Sequence, residues 1–156
     1  MDYSIIIKTF DEMTGRELYE AMRLRQDVFV LEQTCLYPDL DGRDYDCWHV
    51  MAFDNAKADG DEELVGYLRI LPAGQTFDTI AIGRVLVREN KRYDGIARLM
   101  MEKSLHYIKE TLGETHVKLS AQQYLIKFYE SVGFRIISEG YLEDGIPHID
   151  MEMKND

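Results

Sequence analysis

Residues 84–98 concentrate positive charge in an acidic chain. Arg84, Arg88, Lys91, Arg92 and Arg98 stand there against only Glu89 and Asp94. The segment joins an almost continuously apolar run at 79–87 to a stretch of helical spacing that opens at Gly95. The first amides of a helix lack internal partners and point outward, so such a junction suits a phosphate group. Gly95 would let that phosphate approach the backbone closely. A solvated loop with ordinary surface charge fits the same residues equally well. The G-x-x-x-x-G-K-S/T of a P-loop is missing, and no G-x-G-x-x-G follows a strand, which argues against both of those nucleotide folds.

A second group of charges lies earlier. Arg25 interrupts the apolar face of a predicted helix, and a buried unpaired charge is costly, so it should pair with a carboxylate such as Glu32 or Asp44. Residues 39–46 are rich in aspartate, but an EF-hand reading fails. Counted from Asp39, the sixth position is Asp44 rather than glycine, and the twelfth is Val50 rather than glutamate. Between Tyr37 and Glu63 the only basic residues are Arg43 and Lys57. That acidic field would attract a cationic amine, or serve solubility alone.

The elements that must hold these groups follow from periodicity. Residues 3–9, with Ile5, Ile6 and Ile7, read as a strand. Thr14 with Glu17 forms a capping box, and Leu18, Ala21, Met22, Arg25, Val28 and Phe29 repeat at helical spacing. Residues 37–46 read as a loop, 48–53 and 63–71 as a hairpin across a turn at 54–61, and 79–87 as a central strand. A helix runs from Gly95 to about Thr111, with Ile96, Met100, Met101, Leu105 and Ile108 on one stripe. A strand at 116–120, a helix at 122–132 ended by Gly133, and strands at 134–138 and 148–153 joined through Asp144-Gly145 complete the chain. The order β-α-β-β-β-α-β-α-β-β predicts an α/β (α+β) fold, a mixed sheet with helices on its faces.

The 156 residues predict one domain spanning 1–156. With 29 acidic and 18 basic side chains the net charge is −11, which disfavours a nucleic-acid partner. Cys35 and Cys47 are too few for a disulfide framework or a four-cysteine zinc site, and no metal is expected. No apolar run approaches the ~20 residues of a membrane span. No secretory signal is visible at Met1-Asp2-Tyr3-Ser4. A cytoplasmic protein without a membrane partner is the expectation.

Arg92-Tyr93-Asp94-Gly95-Ile96-Ala97 resembles the Q/R-x-x-G-x-G/A pyrophosphate loop of the GNAT acetyltransferase superfamily, which also follows an apolar strand and opens a helix. The run Phe128-Tyr129-Glu130-Ser131-Val132-Gly133-Phe134 resembles that family's F-Y-x-x-x-G-F segment. Residues 25–33 are similar to the R-x-x-V-F-V-x-E-Q signature of its ElaA-like branch, with Tyr37, Asp41, Asp44 and His49 on the branch's Y…D…D…H positions. Ile82-Gly83-Arg84-Val85, Ala121-Gln122 and Gly145-Ile146-Pro147-His148 also match. Tyr93 departs from the pattern, because that position is often glycine; a positive φ there would strain a tyrosine.

The resemblance implies a mostly antiparallel sheet with a splayed strand pair and helices on both faces. It implies an acyl-CoA-dependent N-acetyltransferase that moves acetyl from acetyl-CoA directly to a primary amine in a ternary complex. Backbone groups of Val85, Leu86 and Val87 would pair with the pantetheine arm and the thioester oxygen. Amides of Arg92, Tyr93, Asp94, Gly95, Ile96, Ala97 and Arg98 would hold the pyrophosphate. Tyr129 would protonate the leaving thiolate, although a core aromatic on an amphipathic helix needs no such role. The acceptor ammonium must lose a proton before attack, and Glu32, Asp41, Asp44, His49 and His148 are candidate bases. His148 and Glu32 lead. Arg25 beside Glu32 would make that carboxylate the poorer base, which favours His148. The acceptor would be a small-molecule or peptide amine, cationic in character. A non-catalytic acyl-CoA-binding or sensory module on the same fold is the competing reading. Dimers are frequent in the superfamily; homodimerisation, the acceptor and the acyl-chain preference stay open.

Overall fold

The computed structural model, whose described residues are 3–55 and 62–155, runs through β1 (Tyr3–Thr9), α1 (Gly15–Arg25), β2 (Trp48–Asp54), β3 (Glu63–Leu71), β4 (Ile80–Val87), α2 (Ile96–Glu110), β5 (His116–Gln122), α3 (Ile126–Ser131), β6 (Arg135–Ile136), β7 (Tyr141–Glu143) and β8 (Ile146–Lys154). Most of the expected turn at 54–61 lies outside the described residues. The strands form one sheet in the order β1-β2-β3-β4-β5-β8-β6, with β7 also paired to β8. Among these strands only β4 and β5 run parallel. The mixed, mostly antiparallel sheet and the central place of β4 match the sequence reading.

Alternation along β2 sorts the core. Val50 and Ala52 face α2 and join Leu68, Ile70, Ile96, Met100 and Ile108 in the larger cluster. Met51 and Phe53 face the other way and pack with Ala21, Leu24 and Val28 of the first helical segment. Helices therefore cover both faces. The start of α2 lies close on the sheet: a Cβ at Gly66 would stand only 3.0 Å from the Met100 Cε and 3.1 Å from the Ile96 Cγ2.

Thr14 caps α1 as expected, its hydroxyl accepting from the Glu17 amide while the Glu17 carboxylate accepts from the Thr14 amide. Beyond Arg25 the helix does not continue as α. Residues 26–32 widen into a π turn, with the Gln33 amide donating to the Val28 carbonyl and the Cys35 amide to the Val30 carbonyl. The widened turn carries Phe29 and Glu32 to the central cavity.

The C-terminal end differs from the expected strand pair. The stretch 134–138 pairs only over Arg135–Ile136, and the short strand β7 is an addition to the expected elements. It forms a hairpin with β8 across Asp144 (φ 53°) and Gly145 (φ 77°), the left-handed pair that a two-residue turn requires. The expected helix at 122–132 begins as a 3₁₀ turn over Gln123–Leu125 and becomes α only at Ile126.

Candidate active site

The centre of the sheet is opened by one irregularity. Tyr67 stands opposite Leu86 and Arg69 opposite Gly83, so Arg84 and Val85 together face Leu68 alone. Arg84 at this bulge has φ 52°. A bulge bends and twists its strand. β4 and β5 pair only at Ile80–Val117 and Ala81–Lys118; beyond them they separate. The expected splay is therefore present. A cavity of about 1150 Å³ fills it and extends past the end of α2 nearest the sheet to the hairpin of β7 and β8.

Backbone direction decides what β4 offers to this gap. The Arg88 amide donates to the Val65 carbonyl of β3. Alternation then turns the Leu86 backbone to Tyr67 on β3, and the Val85 and Val87 backbones into the gap. Leu86 lines the cavity with its side chain instead. The Val87 carbonyl accepts from the Arg92 Nε at 2.9 Å, so the gap presents the Val87 amide and both polar groups of Val85.

The basic island is not a set of free cations. Arg92 forms a two-pronged pair with Glu32, at 2.7 and 2.9 Å. Lys91 pairs with Asp54, Arg88 with Glu63, and Arg84 with Asp39 and Asp41. Arg98 donates to the Ser131 hydroxyl and approaches Glu102. What remains for an anion is backbone. Tyr93 (φ 73°) and Gly95 (φ 82°) are left-handed, and the first α2 bond runs from the Leu99 amide to the Gly95 carbonyl. The amides from Gly95 to Arg98 thus precede the helical ladder. A Cβ at Gly95 would meet nothing within 4 Å, so open space adjoins that turn. Tyr93 does occupy the strained conformation that its side chain disfavours, with its ring in solvent.

The acidic loop is likewise neutralised. Arg25 is fully buried and pairs with Asp39 at 2.8 Å and Asp44 at 2.7 Å, not with Glu32. Arg69 holds Asp41 at 2.6 Å and Asp44 at 3.1 Å. Burial alone would raise the Asp41 carboxyl, but hydrogen bonds from Arg69 and the Arg43 amide, with the charges of Arg69 and Arg84, hold it well below the carboxylate range. Asp44 is lowered against its burial by Arg25 and then Arg69. Neither is available as a base. A carboxyl lowered in the folded state stabilises at pH values above its unfolded pKa and loses that contribution as pH falls through the folded one. We therefore expect the urea midpoint to stay level from about pH 7 to 5 and to fall steadily below about pH 4. A level midpoint down to about pH 2 would contradict these pairings.

His49 is fully buried in the same network. Its Nε2–H donates to the Asp44 carbonyl at 2.9 Å, which leaves Nδ1 to accept from the Tyr67 hydroxyl at 2.6 Å. Burial lowers its pKa, and both ring nitrogens are engaged, so it is a core histidine away from the cavity. Glu32 lines the cavity, but both its oxygens accept from Arg92.

His148 is placed differently. It lies on β8 opposite Tyr141 of β7 and Gln122 of β5, on the cavity wall. Its Nδ1–H donates to the Ile146 carbonyl at 2.7 Å. In the neutral ring Nε2 then carries the free lone pair. The Glu143 carboxylate stands 3.7 Å from Nε2. Gln123, at the start of the turn into α3, donates to the His148 carbonyl at 2.9 Å and ties that helix to this strand. Tyr129 on α3 lines the cavity from the other side. Its ring packs edge-on against Phe128 and Phe134, and its hydroxyl meets no hydrogen-bond partner among the described residues. Burial pushes its phenol well above the ordinary value. Sequence reasoning passes over Ser120, Tyr141 and Asp150, which line the same wall as His148. The sequence signals the strands that carry Ser120 and Asp150 and the Asp-Gly turn between them, but not β7 with Tyr141.

Among the described residues no helix is long and apolar enough to cross a membrane, and no cluster of three or more histidine, cysteine or acidic residues could hold a metal ion. Residues 50–155 match the acetyltransferase (GNAT) domain family. The chain is 39% identical to the protein ElaA of Escherichia coli over 142 residues, 90% of this chain and 89% of that one. The crystal structure of E. coli ElaA superimposes with a TM-score of 0.86, covering 97% of this chain and 99% of that chain. A crystal structure of an acyl-CoA N-acyltransferase from Pseudomonas aeruginosa gives 0.85 at 36% identity, with the same coverage. A UPF0039 protein of Schizosaccharomyces pombe is 39% identical over 150 residues, 96% of this chain and 95% of that one.

Proposed function

The chain belongs to the GNAT acetyltransferase family, and on that premise we propose that it transfers acetyl from acetyl-CoA directly to a primary amine bound beside His148. The observation that carries this reading is the cavity between β4 and β5, which is lined by Val85, Leu86 and Val87, by Tyr129 and by His148. The amides from Gly95 to Arg98 suit the pyrophosphate, with Arg92, Tyr93 and Asp94 shaping the turn before them. The pantetheine arm lies along the Val85 and Val87 backbones, whose amides can also donate to the thioester oxygen as it gains charge. His148 Nε2 takes a proton from the ammonium, and the nitrogen lone pair attacks the thioester carbon. The C–N bond forms, the C–S bond breaks, and the Tyr129 hydroxyl donates to the departing sulfur. We assign the base to His148 rather than Glu32, because Arg92 occupies the glutamate.

The acceptor is cationic on different grounds from those the sequence suggested. Asp39, Asp41 and Asp44 are neutralised by arginines. Glu143, Asp144 and Asp150, which line the wall around His148, meet no lysine or arginine among the described residues. That local negative field favours an ammonium.

Free-thiol release from acetyl-CoA across polyamines, amino acids, aminoglycosides and peptides tests the activity. We expect turnover with at least one cationic amine, and a fall of tenfold or more in His148→Gln with Glu32→Gln falling less. The reverse ranking would reject His148 as the base. For the cofactor loop, Gly95→Val places a branched side chain at a left-handed position and fills the space beside the amides. Calorimetry should show acetyl-CoA binding weakened at least tenfold. Binding equal to the wild type would reject the pyrophosphate assignment.

A further inference from the structure

The acceptor nitrogen loses protons at two separate stages of this reaction. An ammonium that becomes an amide sheds two protons, one before attack and one after the C–N bond forms, and the departing sulfur regains only one. His148 accounts for the first. The second must leave from the nitrogen of the tetrahedral adduct, which is far more acidic than a free ammonium and can yield its proton to a weaker base.

The wall beside His148 holds such a device. Ser120 of β5 and Asp150 of β8 are register partners, and Tyr141 of β7 reaches both. The Ser120 hydroxyl hydrogen-bonds the Tyr141 hydroxyl, and the Tyr141 hydroxyl donates to the Asp150 Oδ1 at 2.6 Å. Asp150 is fixed from behind: its amide donates to the Ser138 hydroxyl, and its carbonyl accepts from the Ile137 amide. No lysine or arginine among the described residues neutralises its carboxylate. The nearest strand carboxylate on the same face, Glu152, is by contrast held by His116 and Arg135. Burial and the bond to Asp150 push the Tyr141 phenol up to about 12, so it stays protonated and can pass a proton on without ionising. All three side chains line the cavity, and the Tyr141 ring stacks on His148 with centroids 6.1 Å apart.

We infer that Ser120, Tyr141 and Asp150 form a proton relay that carries the second proton off the acceptor nitrogen, an inference that rests on the acetyltransferase reading above. The nitrogen gives its proton to the Ser120 oxygen, Ser120 gives its own to Tyr141, and Tyr141 gives its own to the Asp150 carboxylate. The carboxylate ends as a carboxylic acid and the nitrogen as a neutral amide; of the two protons shed, one replaces the proton that Tyr129 gave to the sulfur and the other leaves to solvent, which restores all the groups. Ser120 touches the substrate; Tyr141 and Asp150 act through it.

Tyr141→Phe keeps the ring and its stacking on His148 and removes only the link. With an amine that the wild type acetylates, kcat should fall at least tenfold in Tyr141→Phe and in Asp150→Asn, while the Kd for acetyl-CoA stays within twofold. Because the three groups act as a unit, the double variant should be no slower than either single one. A merely structural role would not lower kcat while leaving acetyl-CoA binding intact. Wild-type turnover with kcat unchanged in Tyr141→Phe, or losses that multiply in the double variant, would overturn the relay and leave the acetyltransferase reading standing. No turnover by the wild type with any amine would overturn both.

Discussion

Arg25→Met is expected to destabilise the fold by about 3–5 kcal/mol, the usual cost of removing one partner from a buried ion pair. Methionine retains much of the side-chain volume, so the loss reports charge rather than a cavity. The Arg25 Nε and Nη1 bond Asp39 and Asp44, and the Nη2 bonds the Asp39 carbonyl at 3.0 Å. The guanidinium also lies over the Tyr67 ring, 5.5 Å from its centroid. Without it, among the described residues, Asp39 keeps only Arg84 as a cationic partner and Asp44 only Arg69. Single domains are stable by about 5–15 kcal/mol in total, so the shift in a urea melt should be large. Arg25→Lys should fall between wild type and methionine, because one ammonium cannot reproduce the fork that reaches two aspartates. A loss below about 1 kcal/mol in Arg25→Met would mean that the network contributes no more than surface pairs do.

Tyr129→Phe is expected to lower kcat by about a hundredfold, within the range ascribed to a positioned general acid. The aromatic packing against Phe128 and Phe134 survives the change, so acetyl-CoA affinity should hold. The buried phenol is a weaker acid than an ordinary tyrosine. In the proposed reaction it would therefore first donate a hydrogen bond to the developing thiolate, with the proton following. Burst kinetics separate this step from product release. Equal kcat in mutant and wild type would remove Tyr129 from the reaction and leave it a core aromatic.

Short-range signals are legible in the sequence. The Thr14–Glu17 capping box, the opening of α2 at Gly95 and the left-handed Gly133 depend on neighbours three or four residues away. Tertiary pairing is not legible there. Arg92 and Glu32 are sixty residues apart, and nothing local shows that the basic island is consumed by distant carboxylates. The same limit leaves Arg25 with two candidate partners and keeps His49 among the candidate bases behind His148. Burial within the arginine–aspartate network separates them. The bulge at Arg84 is hidden as well, because a non-glycine residue in a left-handed conformation carries no sequence signal. β7 spans only Tyr141–Glu143, too short for alternation to register, and the place of Tyr141 beside Asp150 is hidden with it.

Initial rates of thiol release, with acetyl-CoA and the accepted amine varied together, test direct transfer most plainly. Cys35 lines the cavity and is the thiol that could form an acetyl-enzyme in a two-stage route. Under direct transfer, release requires the amine, double-reciprocal lines intersect, and Cys35→Ala leaves the pattern unchanged. Parallel lines, or release of CoA with acetyl retained on the protein before amine is added, would contradict it.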